Sequence, residues 1–429
     1  MIKVSIVLPS FNVRQYIKDC LESVIGQTLQ EIEIICVDAG STDGTLEIIK
    51  EYTKKDSRIK LIVSKEKSYG YQMNLGIDSA SGEYIGIVET DDFILPDMYE
   101  SLYIVAKTNK LDFVKSDFYR FTGKNGHIDR EYNKLYHDSS YYNRVIDILD
   151  EQITFDFIMN TWSGIYKRSF LDRYNIRHNE TPGASFQDNG FWFQTFMHAK
   201  RAFFLDRAFY MNRRDNENSS VHNKEKVYCI CDEYAFLLHI LKENDTLLDN
   251  YGKTFAYACF RAYRANLYRI DYMYKKEFVF RWSKDFKNFN ELGMLEEKRF
   301  LYSDWEILNR IMNDPEGYYK ESIVREEIFF DEVKKNKNII IYGAGMIGKK
   351  VFNMLMNCIP PVNVVCFAVT KKECNYSSYQ DVPIKEITDL IEYRDCGCIV
   401  IGTTVLYQKE IKDNLTDLGF KNIICAPFN

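Results

Sequence analysis

A cationic surface, long apolar runs and zinc-spaced cysteines are all missing from this chain, and each absence excludes a class. The 56 Lys and Arg stand against 62 Asp and Glu, a net charge of −6. No bulk nucleic-acid binding is expected from that balance. No apolar run approaches the ~20 residues that span a bilayer, so no transmembrane segment is expected. The first strand-like run, "KVSIVLP", starts at Lys3, which leaves no room for a secretion signal ahead of it. The 11 Cys include no C-x-x-C; Cys229/Cys231 and Cys396/Cys398 are alternate pairs without a partner pair at zinc spacing. Reduced thiols in a cytoplasmic setting are the expectation. Residues 226–330 contain one proline, Pro315, and few glycines, so helices are expected there. No short-period repeat or low-complexity segment is present.

What is there is apolar surface in quantity. The 429 residues are 46% hydrophobic, with 31 Tyr and 29 Phe, enough for two or three cored domains. The first 120 or so residues alternate strand and helix. "KVSIVLP", "IEIICVD", "RIKLIV" and "EYIGIV" read as strands, and the segments between them carry helical periodicity. Near-continuous apolar strands separated by helices indicate a parallel sheet covered on both faces. Residues 125–225 are less regular and suit long functional loops. A second α/β pattern begins near Lys337 with "KNIIIYGAGMIGKKVFNML".

The stretch "GEYIGIVETDDF" ends an apolar run on Glu89, Asp91 and Asp92. Carboxylates at a strand end cost free energy unless something positive sits there. Either they cap the next helix, or they deliver charge to a cleft at the carboxyl edge of the sheet. Strand ends in a parallel sheet converge, so Phe11 and Asp38 would share that edge with Asp91 and Asp92. A ring, a ribose or base acceptor and hard oxygen ligands describe a nucleotide-diphosphate site with a divalent cation.

The ordered set "VSIVLPSFN…YIKDCLESVIGQT…EIICVDAGSTDGT…NLGIDSASGEYIGIVETDDF" resembles family 2 of the inverting glycosyltransferases, which have a GT-A fold. The resemblance implies a nucleotide-sugar donor, usually a UDP-sugar, with Mn²⁺ or Mg²⁺. It places Pro9 and Phe11 at the base pocket and Asp38 on the uracil or ribose. Ala39 stands where many members have a second acid. Asn74 matches the Asn of the usual A-R-N-x-G element, with Met73 in place of its Arg. Glu89 takes the place of the first Asp of the Asp-x-Asp element. Asp91 is then expected near ribose or metal, and Asp92 as the main metal ligand. In "GASFQDNGFWFQ", Asp188 is implied as the catalytic base, with helix capping as the competing role; Gln187 replaces the usual Glu. In "YMNRRDNENSSVHN", Arg214 and Ser219 are implied on the donor phosphates, with Arg213 as competitor, and His222 is a candidate metal or phosphate ligand. Trp162 belongs either to the acceptor or sugar pocket or to the core.

"YGAGMIG" adds Gly343, Gly345 and Gly348 between a strand and a helix, a dinucleotide-type turn. The next strand ends in Val369, Thr370 and Lys371, without the acid that holds an NAD ribose. An assembly module that makes a homo-oligomer is favoured over a ligand site.

The expected architecture is α/β: a GT-A domain over 1–225, a helical linker or insert over 226–334, and a small Rossmann-like domain over 335–429. The expected function is a metal-dependent inverting transfer of sugar to a hydroxyl of a glycan or glycoprotein acceptor, by analogy in bacterial surface polysaccharide synthesis or adhesin glycosylation. A non-catalytic nucleotide-sugar scaffold and an NAD(P)-linked enzyme acting through the C-terminal domain are the alternatives. The location expected is cytoplasmic. The basic aromatic stretch "KKEFVFRWSKDFKNF" reads either as a solvated helix face or as a contact with the inner membrane surface.

Overall fold

The computed structural model describes residues 1–123, 128–216, 226–356, 362–371 and 377–427. Two compact units are present: Met1–Tyr274 with Lys284–Leu308, and Lys275–Ser283 with Asn309–Asn429. The helical stretch 226–334 is therefore divided between them.

The first unit is built on β1 (Val4–Ser10), α1 (Ile17–Ile25), β2 (Ile32–Asp38), α2 (Thr45–Lys55), β3 (Ile59–Val63), α3 (Tyr69–Asp78) and β4 (Tyr84–Ile87). Then come β5 (Phe93–Ile94), α4 (Met98–Asn109), β6 (Phe113–Thr122), β7 (Asp129–Asn133), β8 (Val145–Ile146), β9 (Gly164–Lys167), α5 (Arg168–Arg173), α6 (Gln187–His198) and β10 (Ala202–Arg213). The sheet order is β3-β2-β1-β4-β9-β6-β10-β5, with β7 on β6 and β8 on β10. β1 to β4 are mutually parallel, while β9 runs antiparallel to β4 and to β6. Every residue of β1 and β2 is buried, as strands covered on both faces require. α1 turns Ile17, Cys20, Leu21 and Val24 into that core.

The parallel βα half is where the sequence pattern put it. The region expected to be loops is different: β6 and β10 pair in parallel along most of their length and complete the sheet. β6 escapes a hydropathy reading because Lys115, Ser116 and Asp117 are buried within it and are satisfied by partners distant in sequence.

Helices α7 (Cys229–Lys242) and α8 (Asp245–Arg269) follow, then α9 (Tyr272–Glu291), α10 (Tyr302–Asn313), α11 (Pro315–Tyr318) and α12 (Arg325–Lys334). In α9, Phe278, Val279, Trp282, Phe286 and Phe289 are at most 3% exposed. Most of the apolar side chains of this stretch are thus core, while Phe280 is 42% exposed. Among the described residues no helix is long and apolar enough to cross a membrane.

The second unit carries β11 (Ile339–Tyr342), α13 (Met346–Met356), β12 (Val364–Val369), β13 (Ser378–Tyr379), β14 (Val382–Glu386), β15 (Cys398–Ile401), α14 (Val405–Asp417) and β16 (Ile423–Cys425). Its sheet order is β13-β14-β12-β11-β15-β16. Phe329, Phe330 and Val333 of α12 share one core cluster with Ile339, Ile341, Val351 and Phe352, so α12 belongs with this sheet.

Candidate active site

The carboxyl edge of the first sheet gathers the acidic triplet. Glu89, at the end of β4, accepts a hydrogen bond on Oε1 from Tyr69 Oη at 2.6 Å. Its backbone N donates to Tyr210 Oη at 3.0 Å. The Tyr210 hydroxyl in turn donates to Asp92 Oδ2 at 2.8 Å. Asp92 also accepts from Asn212 Nδ2 at 3.2 Å and from Arg213 N at 2.6 Å, so both its oxygens are occupied. Asp91 is half-buried and accepts from Asn216 Nδ2 at 2.7 Å. β10 thus supplies most of the donors that hold the triplet.

These groups repel one another. Burial pushes the Glu89 carboxyl up to about 8 against the Tyr69 hydrogen bond, and Asp91 and Asp188 add like charge. Burial, then Asp91, raises Asp92 well above the usual carboxylate range. Burial raises Asp188 as well. Asp188 sits in the first turn of α6, whose N-cap residue is Phe186 with no side-chain capping bond. It is therefore not the N-cap residue; its Oδ1 accepts from the adjacent Asn189 N at 3.1 Å. Asp188 is half-buried and adds like charge to Glu89.

The approach to Asp188 is stapled to α3. Tyr69 N donates to Gly183 O at 2.9 Å, and Gly183 N to Lys67 O at 2.7 Å. Asn74 Nδ2 donates to His178 O at 2.9 Å and to Glu180 Oε1 at 2.8 Å, while its Oδ1 accepts from His178 N at 2.9 Å. A Cβ on Gly70 would lie 1.9 Å from Asn179 O, so only glycine allows this close seating. Gln187 clasps the same loop by donating to Thr181 O and Gly183 O.

Comparisons with known proteins bear on the family and the fold. The family model for glycosyl transferase family 2 matches residues 5–174, and a model described as C2185-like, N-terminal, matches 335–424. Residues 5–174 are a glycosyltransferase family 2 domain. An uncharacterized glycosyltransferase EpsJ of Bacillus subtilis is 33% identical over 222 residues, 50% of this chain and 62% of that protein. A cholesterol galactosyltransferase of Borreliella burgdorferi is 27% identical over 331 residues, 72% of this chain and 91% of that protein. The S. aureus TarS 1–349 structure in complex with UDP-GlcNAc gives a TM-score of 0.54 at 18% identity, covering 75% of this chain and 92% of that one, which establishes the fold. The GT-A architecture expected from the sequence is the one observed. The chain spans 62% and 35% of the lengths of two of the curated relatives it matches.

Within the family 2 domain, several expected donor contacts have other work. Asp38 is fully buried: Oδ1 accepts from Gly40 N and Ser41 N, and Oδ2 from Ser10 Oγ and Ser41 Oγ. It closes the turn after β2. Asn74 is a loop clamp, as described. Asp92, expected as the main metal ligand, is 2% exposed and fully hydrogen-bonded, because a buried carboxylate must be paired. Pro9 is buried, and its carbonyl accepts from Thr90 Oγ1 at 2.7 Å. Phe11 does fit a base platform: it is 44% exposed, with Lys67 Nζ 5.2 Å over its ring.

Of the two arginines after β10, Arg213 is 8% exposed, donates to Asp91 O at 2.8 Å and packs on Tyr16 and Phe121. Arg214 is the exposed one. Its charge, after burial, lowers Arg120, whose Nε is buried without a hydrogen-bond partner among the described residues. Ser219 and His222 lie outside the described residues. Tyr69, Tyr210 and Asn212 were not singled out from sequence. Tyr69 stands shortly before Met73 and Asn74 in the chain, but nothing local links it to Glu89. Trp162 is half-buried and stacks on Tyr210 with centroids 4.2 Å apart.

Among the described residues no three His, Cys, Asp or Glu side chains are grouped to hold a cation. The donor set still fits one. A single half-exposed carboxylate, Asp91, beside mutually repelling acids suits a hard divalent ion that takes its other oxygens from a diphosphate and water.

Proposed function

We propose that this chain is an inverting glycosyltransferase that moves a sugar from a UDP-sugar to a hydroxyl of a glycan or glycoprotein acceptor. The observation that carries the reading is that Asp188, from α6, and Asp91, after β4, both add like charge at Glu89. Asp188 takes the proton of the acceptor hydroxyl as its oxygen attacks the anomeric carbon and the bond to UDP breaks. In-line displacement of an α-linked donor yields a β-linkage. Phe11, with Lys67, stacks the base, and Arg214 with Arg120 holds phosphate oxygens through guanidinium forks. Asp91 would hold Mn²⁺ or Mg²⁺, which when bound supplies charge neutralisation for the leaving diphosphate. By analogy, the acceptor belongs to bacterial surface polysaccharide or adhesin glycosylation, made at the cytoplasmic side.

The second unit is read as an assembly module. Where a dinucleotide site would place a ribose acid, the Tyr342 and Thr370 hydroxyls lie 2.6 Å apart and are engaged with each other.

The test is UDP release from a panel of UDP-sugars in Mn²⁺, with and without EDTA, followed by NMR of the product anomer. Release that EDTA abolishes, with a β product, is expected. No release from any donor, or an α product, would overturn the reading.

A further inference from the structure

The chain carries a buried cation that the site as described does not use. Lys115 of β6 is 1% exposed. Its Nζ donates to Asn160 O at 2.7 Å, to Asn160 Oδ1 at 2.8 Å and to Tyr166 Oη at 3.4 Å. Among the described residues no carboxylate pairs with it, and burial alone pulls its ammonium down to about 7. An ammonium kept in the interior without an acid is costly, and an apolar side chain would fill the same space more stably.

All of the Lys115 hydrogen bonds go to one turn, residues 160–163, and to the strand that follows it. Asn160 Oδ1 also accepts from Ser163 Oγ at 2.8 Å. Ser116 N donates to Ser163 O at 2.8 Å, and Tyr166 Oη donates to Thr161 O at 2.8 Å. The contact is backbone-tight: a Cβ on Gly164 would lie 2.2 Å from Val114 O. Thr161 and Ser163 are 1% and 0% exposed, whereas Trp162 between them is half-buried. Trp162 stacks on Tyr210 at an interplanar angle of 25° and meets Phe118 edge-on with centroids 5.0 Å apart. The Tyr210 hydroxyl bonds both Asp92 Oδ2 and Glu89 N.

We infer that Lys115 is a positioning residue for the transfer reaction: through Asn160 it seats the turn that holds Trp162 against Tyr210, and so fixes the acidic triplet and the ring beside it. This rests on the transferase reading above. A purely core-filling lysine would affect stability alone. A positioning lysine acts on the rate and on the environment of Trp162.

The experiment compares wild type with Lys115→Met, Asn160→Ala and the double variant. Three readouts are used: steady-state rates with a UDP-sugar, UDP affinity by calorimetry, and the emission of Trp162, assigned with Trp162→Phe. Each single variant is expected to lower kcat tenfold or more, leave UDP affinity within twofold and shift Trp162 emission. The double variant should be no worse than the worse single, because the two residues form one link. A folded Lys115→Met with kcat within twofold of wild type would overturn the inference, as would single effects that multiply. If Lys115→Met does not fold, Asn160→Ala decides by the same criteria. If wild type turns over no donor, the transferase reading fails by itself. The link is then judged on emission: a shift in both variants supports it, and an unchanged spectrum refutes it.

Discussion

The Tyr69 hydroxyl, in the first turn of α3, donates to Glu89 Oε1 at the end of β4 across 2.6 Å. It is the shortest side-chain bond among those described here for the acidic triplet, and it opposes the upward push of burial on Glu89. Tyr69→Phe keeps the ring and its edge contact with His178 but removes that donor. With Glu89 at about 8 the bond is largely to a neutral carboxyl at neutral pH; it then contributes about 0.5–1.5 kcal/mol, which corresponds to about a two- to tenfold fall in kcat/KM. Circular dichroism should be unchanged, and an unaltered kcat/KM would show that Glu89 has no part in turnover.

Asp188→Asn deletes the base while keeping its size. A fall of about 10²–10⁴ in the rate of transfer is expected, with UDP affinity preserved. Calorimetry showing affinity lost in step with rate would make Asp188 a donor-binding residue instead.

Asp91 and Asp92 should separate. Asp91→Asn is expected to lose Mn²⁺-dependent activity with little change in Tm, since Asp91 is half-buried and has one side-chain donor among the bonds described. Asp92→Ala strips partners from Tyr210, Asn212 and Arg213 N, and each buried orphan costs about 1–3 kcal/mol. Its Tm should fall markedly along with activity. Equal Tm for the two variants would contradict this division of labour.

Acid stability should report on Glu33. Burial pushes its carboxyl up, but Lys60, Ser5 and Ser81 outweigh that and hold it at about 2 against the ordinary 4.5. A depressed carboxylate contributes stability above its unfolded value, and that contribution is lost as pH falls from about 4.5 through about 2. The shift corresponds to about 3 kcal/mol at neutral pH. In urea titrations the stability gap between wild type and Glu33→Gln should be constant near pH 7 and shrink below 4.5. A gap independent of pH would remove the assignment.

Elements with a regular apolar period were legible without coordinates. β1 to β4 and α1 to α3 alternate apolar strands with amphipathic helices, and both faces of the sheet are covered. The acidic triplet was legible because charge interrupts an apolar run. So was Asp188, by resemblance. β6 was not legible: its Lys115 and Asp117 look solvated until Asn160 and Tyr142 are brought beside them.

Residue types and their order determined the family 2 domain, the parallel sheet and the set of candidate side chains. Only the tertiary structure decided which of those are free to meet a ligand. Asn74 and Asp92 carry the right chemistry, but each is held by partners from other elements, while Asp38 is held by the turn that follows it and by Ser10. A buried polar group must be paired, and for Asn74 and Asp92 those partners are set by folding rather than by neighbours in the chain. Phe11, Asp91, Asp188 and Arg214 stay partly open, and the proposed site is built on them.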